Sequence, residues 1–442
     1  MLGGQSTLDW QVGESEDWDD FEPLEVLSRV ETTTSDQTAT DRRWHLGRVL
    51  RGLTLVVVLA VIIVGYSSWR EYQADIFRIK TDIQGTIDVE AWAWESSDET
   101  LIDSLIDGQA NEGWTRQFRR DQDRRRHWAG DDARAPVVQI EKVELQGDLA
   151  LIEVLVTEPG VPWTSTPYRE TRFYRQVEGR WLRTAPQSDF WGVERTLETD
   201  HFRFEFHQRD AEAVKAVAAD ADTLYSKLRQ DVGLGPPPAD EKLTIEIIPR
   251  TNVVDWRFAG DKLTVSSPAL LPVPEGLPDA ARLTQSITYP LTRRVVGEAL
   301  EDVEINTEWR PVVEGARHWL SWDRSSLPSG WRYHAEEPLR KQLEQGTSLR
   351  LADLTHSKSE RWDRSGRWTQ LIAAETMVAY AMDTYGPEML RALVRGLGEH
   401  ETWDTLIPAV FDVSARDFEA GWQAYLVARY ERPAKDMQIT GG

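Results

Sequence analysis

A chain of 442 residues, 40% of them hydrophobic, is long enough for two or three domains. It has no cysteine, which excludes disulfides, thiolate metal sites and a cysteine nucleophile. The net charge of −23 is uneven: residues 1–41 carry eleven acids against one base, Arg29, and the modest acidic excess elsewhere argues against a nucleic-acid partner.

Residues 1–45 read as a disordered acidic tail, rich in Ser, Thr and Asp and too poor in apolar surface to pack. Within it Trp18, Phe21, Leu24, Val26 and Leu27 alternate with acids, a pattern suited to a short amphipathic helix on a cytoplasmic partner. Residues 52–69, GLTLVVVLAVIIVGYSSW, then run without charge or proline. As a helix they span about 27 Å, close to the hydrocarbon thickness of a bilayer. Arg42, Arg43, Arg48 and Arg51 precede the run, whereas Arg70, Arg78 and Lys80 after it are mixed with Glu71, Asp75 and Asp82. The positive-inside rule therefore predicts a transmembrane helix over 50–70, with a cytoplasmic N-terminus and an extracytoplasmic remainder. A helical stalk is expected over 72–85.

The next unit, 71–195, is expected to open with a helix around 99–109. Strands follow at 137–145, 150–156, 168–177 and 181–183, joined by Gly-containing turns at Gln146-Gly147-Asp148 and Glu178-Gly179-Arg180. A helix followed by a curved antiparallel sheet ending in WLRTAP resembles the nuclear transport factor two-like fold, in which the fold alone names no activity. The basic run 119–128 reads as an exposed helix face whose arginines pair with Asp121 and Asp123.

The last unit, 196–434, alternates as a strand over 202–206. It then shows an apolar helical stripe at Val214, Val217, Ala218, Ala221, Leu224, Tyr225 and Leu228, stopped at GLGPPP. A strand over 243–248 and helices over 280–300, 311–322, 367–385, 387–397 and 415–430 follow, the last with Ser414 and Asp417 as a capping box. This order, with HFRFEFH, PVVEGARHWL, DTYGPEML and ARDFEAGWQAYL, resembles the peptidase MA-like domains of gluzincin metallopeptidases. In that family one helix carries H-E-x-x-H and the next supplies a third zinc ligand from an E-G-x-A-like segment.

Aligned on this chain, the motif falls on Tyr289-Pro290-Leu291-Thr292-Arg293, with Glu314 of VEGA as the retained third ligand. Arginine offers no lone pair to a metal, and proline in place of the general base has no acid–base group. The resemblance thus implies a degenerate site holding no metal and no cofactor. Glu314, left without zinc, is expected to pair with Arg293, Tyr289 adding a hydrogen bond; the alternatives are a pair with Arg294 if the register is shifted, or a Glu314 that is simply exposed. Glu314 and His318, four apart on one helix, form an alternative site, with His334 and Glu336 nearby in sequence.

The reading is an α+β protein: a transmembrane helix, a small curved-sheet domain, and a mainly helical gluzincin-like domain that begins with a sheet. Its expected role is to bind an extracytoplasmic peptide or protein without cleaving it. A hydrolase built around Glu314 and His318, and an assembly protein whose acidic tail recruits a cytoplasmic partner, are the alternatives.

Overall fold

The computed structural model describes residues 40–129, 134–158, 167–238, 242–251, 258–324, 336, 339–346, 348–355 and 364–430. The side chains of 40–57, 60, 61, 124–129, 364 and 365 are outside that description. Most of the expected acidic tail, His334 and the later part of the basic run therefore lie outside the described residues. The chain is a mixture of helices and sheets, divided into two units, Met1–Gln73 and Ala74–Gly442.

Helix α1 (Thr40–Glu95) contains the backbone of the 52–69 run. Of that run's described side chains, Val58, Leu59, Ile62, Ile63 and Val64 are all more than half exposed. Among the described residues no helix is long and apolar enough to cross a membrane; the side chains of 50–57, 60 and 61 in the expected span lie outside the description.

In the second unit, strands β1 (Val137–Gln146), β2 (Leu149–Thr157), β3 (Tyr168–Val177) and β4 (Arg180–Thr184) form an antiparallel meander in that order. The turns lie where the glycines predict. Glu178 and Gly179 both have positive φ, the backbone twist a tight hairpin needs. A bulge between Ile140 and Lys142 bends β1. Alternation sends Ile152, Val154 and Tyr174 to one face, where they pack with Ile83 and Ile87 of α1. Leu151 and Phe173 point the other way, onto Trp191 and Leu270. The helical stalk expected over 72–85 thus contributes Ile83 and Ile79 to the first of these two cores. Helix α2 (Glu99–Ser104), capped by Asp98, is shorter than expected. Leu105 and Asp107 leave it to hydrogen-bond the backbone of Arg183, extending the sheet. In α3 (Glu112–Ala129), Arg119 pairs with Asp103 and Asp121 accepts from Gln117, while the side chains of Arg124, Arg125 and Arg126 lie outside the described residues.

A second sheet runs β5 (Glu194–Glu198), β6 (Phe202–His207), β7 (Leu243–Ile248), β8 (Lys262–Ser266). β6 and β7 are parallel, which requires the crossover that α4 (Ala211–Asp231) supplies. The α4 stripe is buried as expected, except that Leu224 is only partly so. Next come β9 (Val273–Pro274), α5 (Asp279–Ala299), α6 (Arg310–Asp323), α7 (Leu351–Thr355), α8 (Arg364–Tyr385), α9 (Met389–Glu399), α10 (Trp403–Phe411) and α11 (Ala415–Tyr430). Asp417 N–H donates to Ser414 Oγ at 3.1 Å, capping α11. The largest core joins the second sheet to these helices around α8, where Ile372, Ala373, Ala374, Met377 and Val378 are all fully buried.

Several contacts tie the first sheet, and the Trp191 packed against it, to residues later in the same unit. β9 pairs with the start of β3. Arg209 grips Glu144 of β1 through two hydrogen bonds, 2.8 and 3.1 Å. Buried Trp191 donates to Ser267 Oγ (3.0 Å), which donates to Asp210 (2.6 Å) at the start of α4. Burial pushes the Asp210 carboxyl up to about 6, against the pull of Ser267 and Arg209.

Because that value lies above the ordinary 3.8, this group contributes stability that is complete below pH 3.8 and lost as pH rises through about 6. Asp210→Asn, which stays neutral, should gain on the parent chain by about 2–3 kcal/mol between pH 4 and pH 7 in denaturant titrations. An equal difference at both pH values would contradict this.

Candidate functional site

The expected site residues meet where α5 and α6 lie side by side. Pro290 is buried inside α5, which continues through it. Its missing N–H costs one backbone hydrogen bond. Around it Thr284, Thr288 and Thr292 turn their hydroxyls back onto the carbonyls of Ala280, Thr284 and Thr288. Tyr289 and Arg293, one turn apart, face α6. Arg293 Nη1 donates to Glu314 Oε2 at 3.0 Å and to the Tyr289 hydroxyl at 3.4 Å, its guanidinium 5.9 Å from the Tyr289 ring centre. Arg294 points elsewhere, to Gly260 O and Asp261.

The other Glu314 oxygen is also engaged. Arg317, one turn along α6, donates to Oε1 at 2.8 Å. Burial lowers the pKa of Arg317, partly countered by Glu314. Each carboxylate oxygen thus has an arginine, and this trio carries one net positive charge, with side chains 15–24% exposed. A carboxylate so occupied has little to offer a cation. Among the described residues no group of three or more His, Asp or Glu is placed to hold a metal.

His318, the other candidate, faces α8. Its Nδ1 is hydrogen-bonded to Glu375 Oε2, and Glu375 is fully buried. Its Nε2 accepts from Trp322 Nε1 at 3.4 Å. An indole N–H only donates, so Nε2 carries no proton and Nδ1–H is the donor to the carboxylate. The rings of Tyr289, Trp322 and Trp368 stand edge-on around the imidazole, 5.7–6.2 Å away. Tyr289 therefore touches both Arg293 and His318, joining the two candidate sets. Glu336, by contrast, pairs with Arg429 at 2.8 Å, and His201 and His207 lie at opposite ends of β6.

Both sets depend on Gly315. A Cβ there would come within 2.7–2.8 Å of Ala374 and of the Glu375 backbone nitrogen. The glycine of the EGA segment thus lets α6 approach α8 closely enough for His318, one turn on, to reach Glu375. Arg317 and Glu375 are not singled out by the sequence alone. The i, i+3 spacing of Glu314 and Arg317 was one available signal. A lone acid in the apolar run IAAETMVAY, which requires a partner, was another.

Comparison with protein-family models, curated proteins and solved structures finds no match to this chain.

Gly315→Ala should destabilise the protein by about 1–3 kcal/mol, since the atoms it meets are largely backbone and a helix must shift. Equilibrium denaturation measures this; a loss under about 0.5 kcal/mol would show the crossing to be loose.

Proposed function

We propose that this chain is a single-pass membrane protein whose extracytoplasmic part carries a gluzincin-like domain that binds a peptide or protein partner without cleaving it. The observation that carries this reading is the occupied carboxylate: where the resemblance puts a zinc ligand, Glu314 is held between Arg293 and Arg317. Pro290 stands in the general-base position and contributes no acid–base group. The order of strands and helices after residue 196 supports the gluzincin-like fold. The bulged four-stranded meander packed on α1 supports a nuclear transport factor two-like unit that holds this domain away from the bilayer. The charge-free run 52–69, led by four arginines, supports the anchor and its orientation.

A second reading, a hydrolase, has one observation in its favour: a histidine oriented by a buried carboxylate is how a general base is held. Under it Glu314→Ala abolishes turnover and preserves the fold. Under binding without cleavage, the same change strands two arginines and lowers stability.

Full-length protein should contain no stoichiometric zinc by elemental analysis, and chelators should leave its Tm unchanged. Glu314→Ala should cost about 1–3 kcal/mol in denaturant titrations, below the cost of breaking a fully buried pair because solvent reaches this one. Peptides from a tryptic digest retained by the immobilised chain should be recovered intact; one zinc per chain, or new peptide termini, would reject the reading. In sealed cells, external protease should remove an epitope after residue 196 and spare one in the first 41 residues.

A further inference from the structure

The first sheet holds a second polar site, far in sequence from Glu314. On the edge of β3 that β4 and β9 share, β4 pairs with residues 173–177 and β9 with Tyr168 and Arg169. Residues 170–172 lie in the gap between them. A cavity of about 210 Å³ opens there, with helix α3 on one side and the segment 270–272 on another.

Arg172 is the feature that calls for a ligand. It is 4% exposed, yet among the described residues its one hydrogen bond runs from Nε to Glu170 at 3.2 Å. Among those residues the terminal nitrogens Nη1 and Nη2 have no protein acceptor, although Arg172 lines the cavity. Burial opposes the charge of this guanidinium, but Glu170 and Glu90 outweigh it and raise its pKa, so the fork stays fully protonated. A planar fork of free N–H donors in a buried site matches a carboxylate, which accepts two parallel hydrogen bonds.

The other walls narrow the choice. Arg183 is committed: it donates to Glu170 (3.3 Å) and to Tyr174 (3.3 Å). Glu90 is the loosely held acid, 3.8 Å from Arg183 and accepting from Gln122 at 3.4 Å. Trp114 and Phe118 of α3 form a stacked pair, centroids 5.4 Å apart, that gives the cavity an apolar wall. The charged residues lining the cavity are Arg172 and Arg183 against Glu90, Glu170 and Asp121, so an anion would add to an acidic excess whereas a zwitterion adds no net charge.

We propose that this cavity binds a small zwitterion of the α-amino-acid type, its carboxylate on the free fork of Arg172, its ammonium toward Glu90 and its apolar side chain against Trp114 and Phe118. This site is independent of the reading of Glu314.

The test uses the full-length chain with L-phenylalanine, phenethylamine and phenylacetate as probes, read by calorimetry and thermal shift. L-Phenylalanine should bind saturably and raise Tm; the amine, lacking the carboxylate, and the acid, lacking the ammonium, should each bind at least about tenfold more weakly. Arg172→Lys and Trp114→Ala should each weaken L-phenylalanine by about tenfold or more. Trp114→Ala leaves the Arg172–Glu170 pair intact, so it decides the matter if the buried substitution unfolds the chain. No binding of L-phenylalanine at millimolar concentration, equal binding of either truncated probe, or unchanged affinity in Trp114→Ala would overturn the proposal.

Discussion

The close crossing of α6 over α8 is the constraint on which the candidate site rests. With only a hydrogen at position 315, the two helix backbones approach at Ala374 and Glu375. Everything α6 carries is placed by that approach. His318 reaches a carboxylate in the interior of α8, while Glu314, one turn back, is turned toward α5. The same helix thus presents one acid to arginines and one base to an acid. A wider crossing would separate His318 from Glu375, whose carboxylate is fully buried.

The two polar sets differ in how solvent weighs on them. Glu314 and its arginines are about a fifth exposed, so water screens the trio and its worth is moderate. Glu375 is fully buried, and the His318 contact helps to offset its large desolvation cost. The Trp322 N–H then fixes which ring nitrogen keeps its proton. Orientation of the imidazole is therefore determined by packing and donor geometry together, with Tyr289 as the side chain common to both sets.

Much of this arrangement was legible in the amino-acid sequence. Apolar runs and glycine turns mark β1 to β4: β2 is buried on both faces, β1 is mostly exposed, and the turns use positive φ. The α4 stripe and the α11 cap are local signals of the same kind. The juxtaposition of Arg293 with Glu314 followed from asking what a carboxylate does where a metal ligand would stand. What escaped was non-local. β5 reads ERTLE and is mostly exposed, so it has no apolar pattern; it exists because β6 offers an edge. β9 is two residues long and is a strand only by virtue of β3. Helix α2 ends early because the Arg183 backbone competes for Leu105 and Asp107. Arg317 lies three residues from Glu314 on the same helix, whereas the pairing of Glu375 with His318 emerges only once α6 is placed against α8.

The pairing of Val273 with Arg169 joins points about a hundred residues apart, and such long-range closure is slow. On the ribosome, β1 to β4 emerge well before the segment that completes them. Until it arrives, a nascent chain must carry an open edge on β3 and lacks Leu270, which covers Phe173 and Trp191. The meander therefore cannot reach its finished form during early translation: its last strand is encoded after the second sheet, and synthesis of one half is the condition for closing the other.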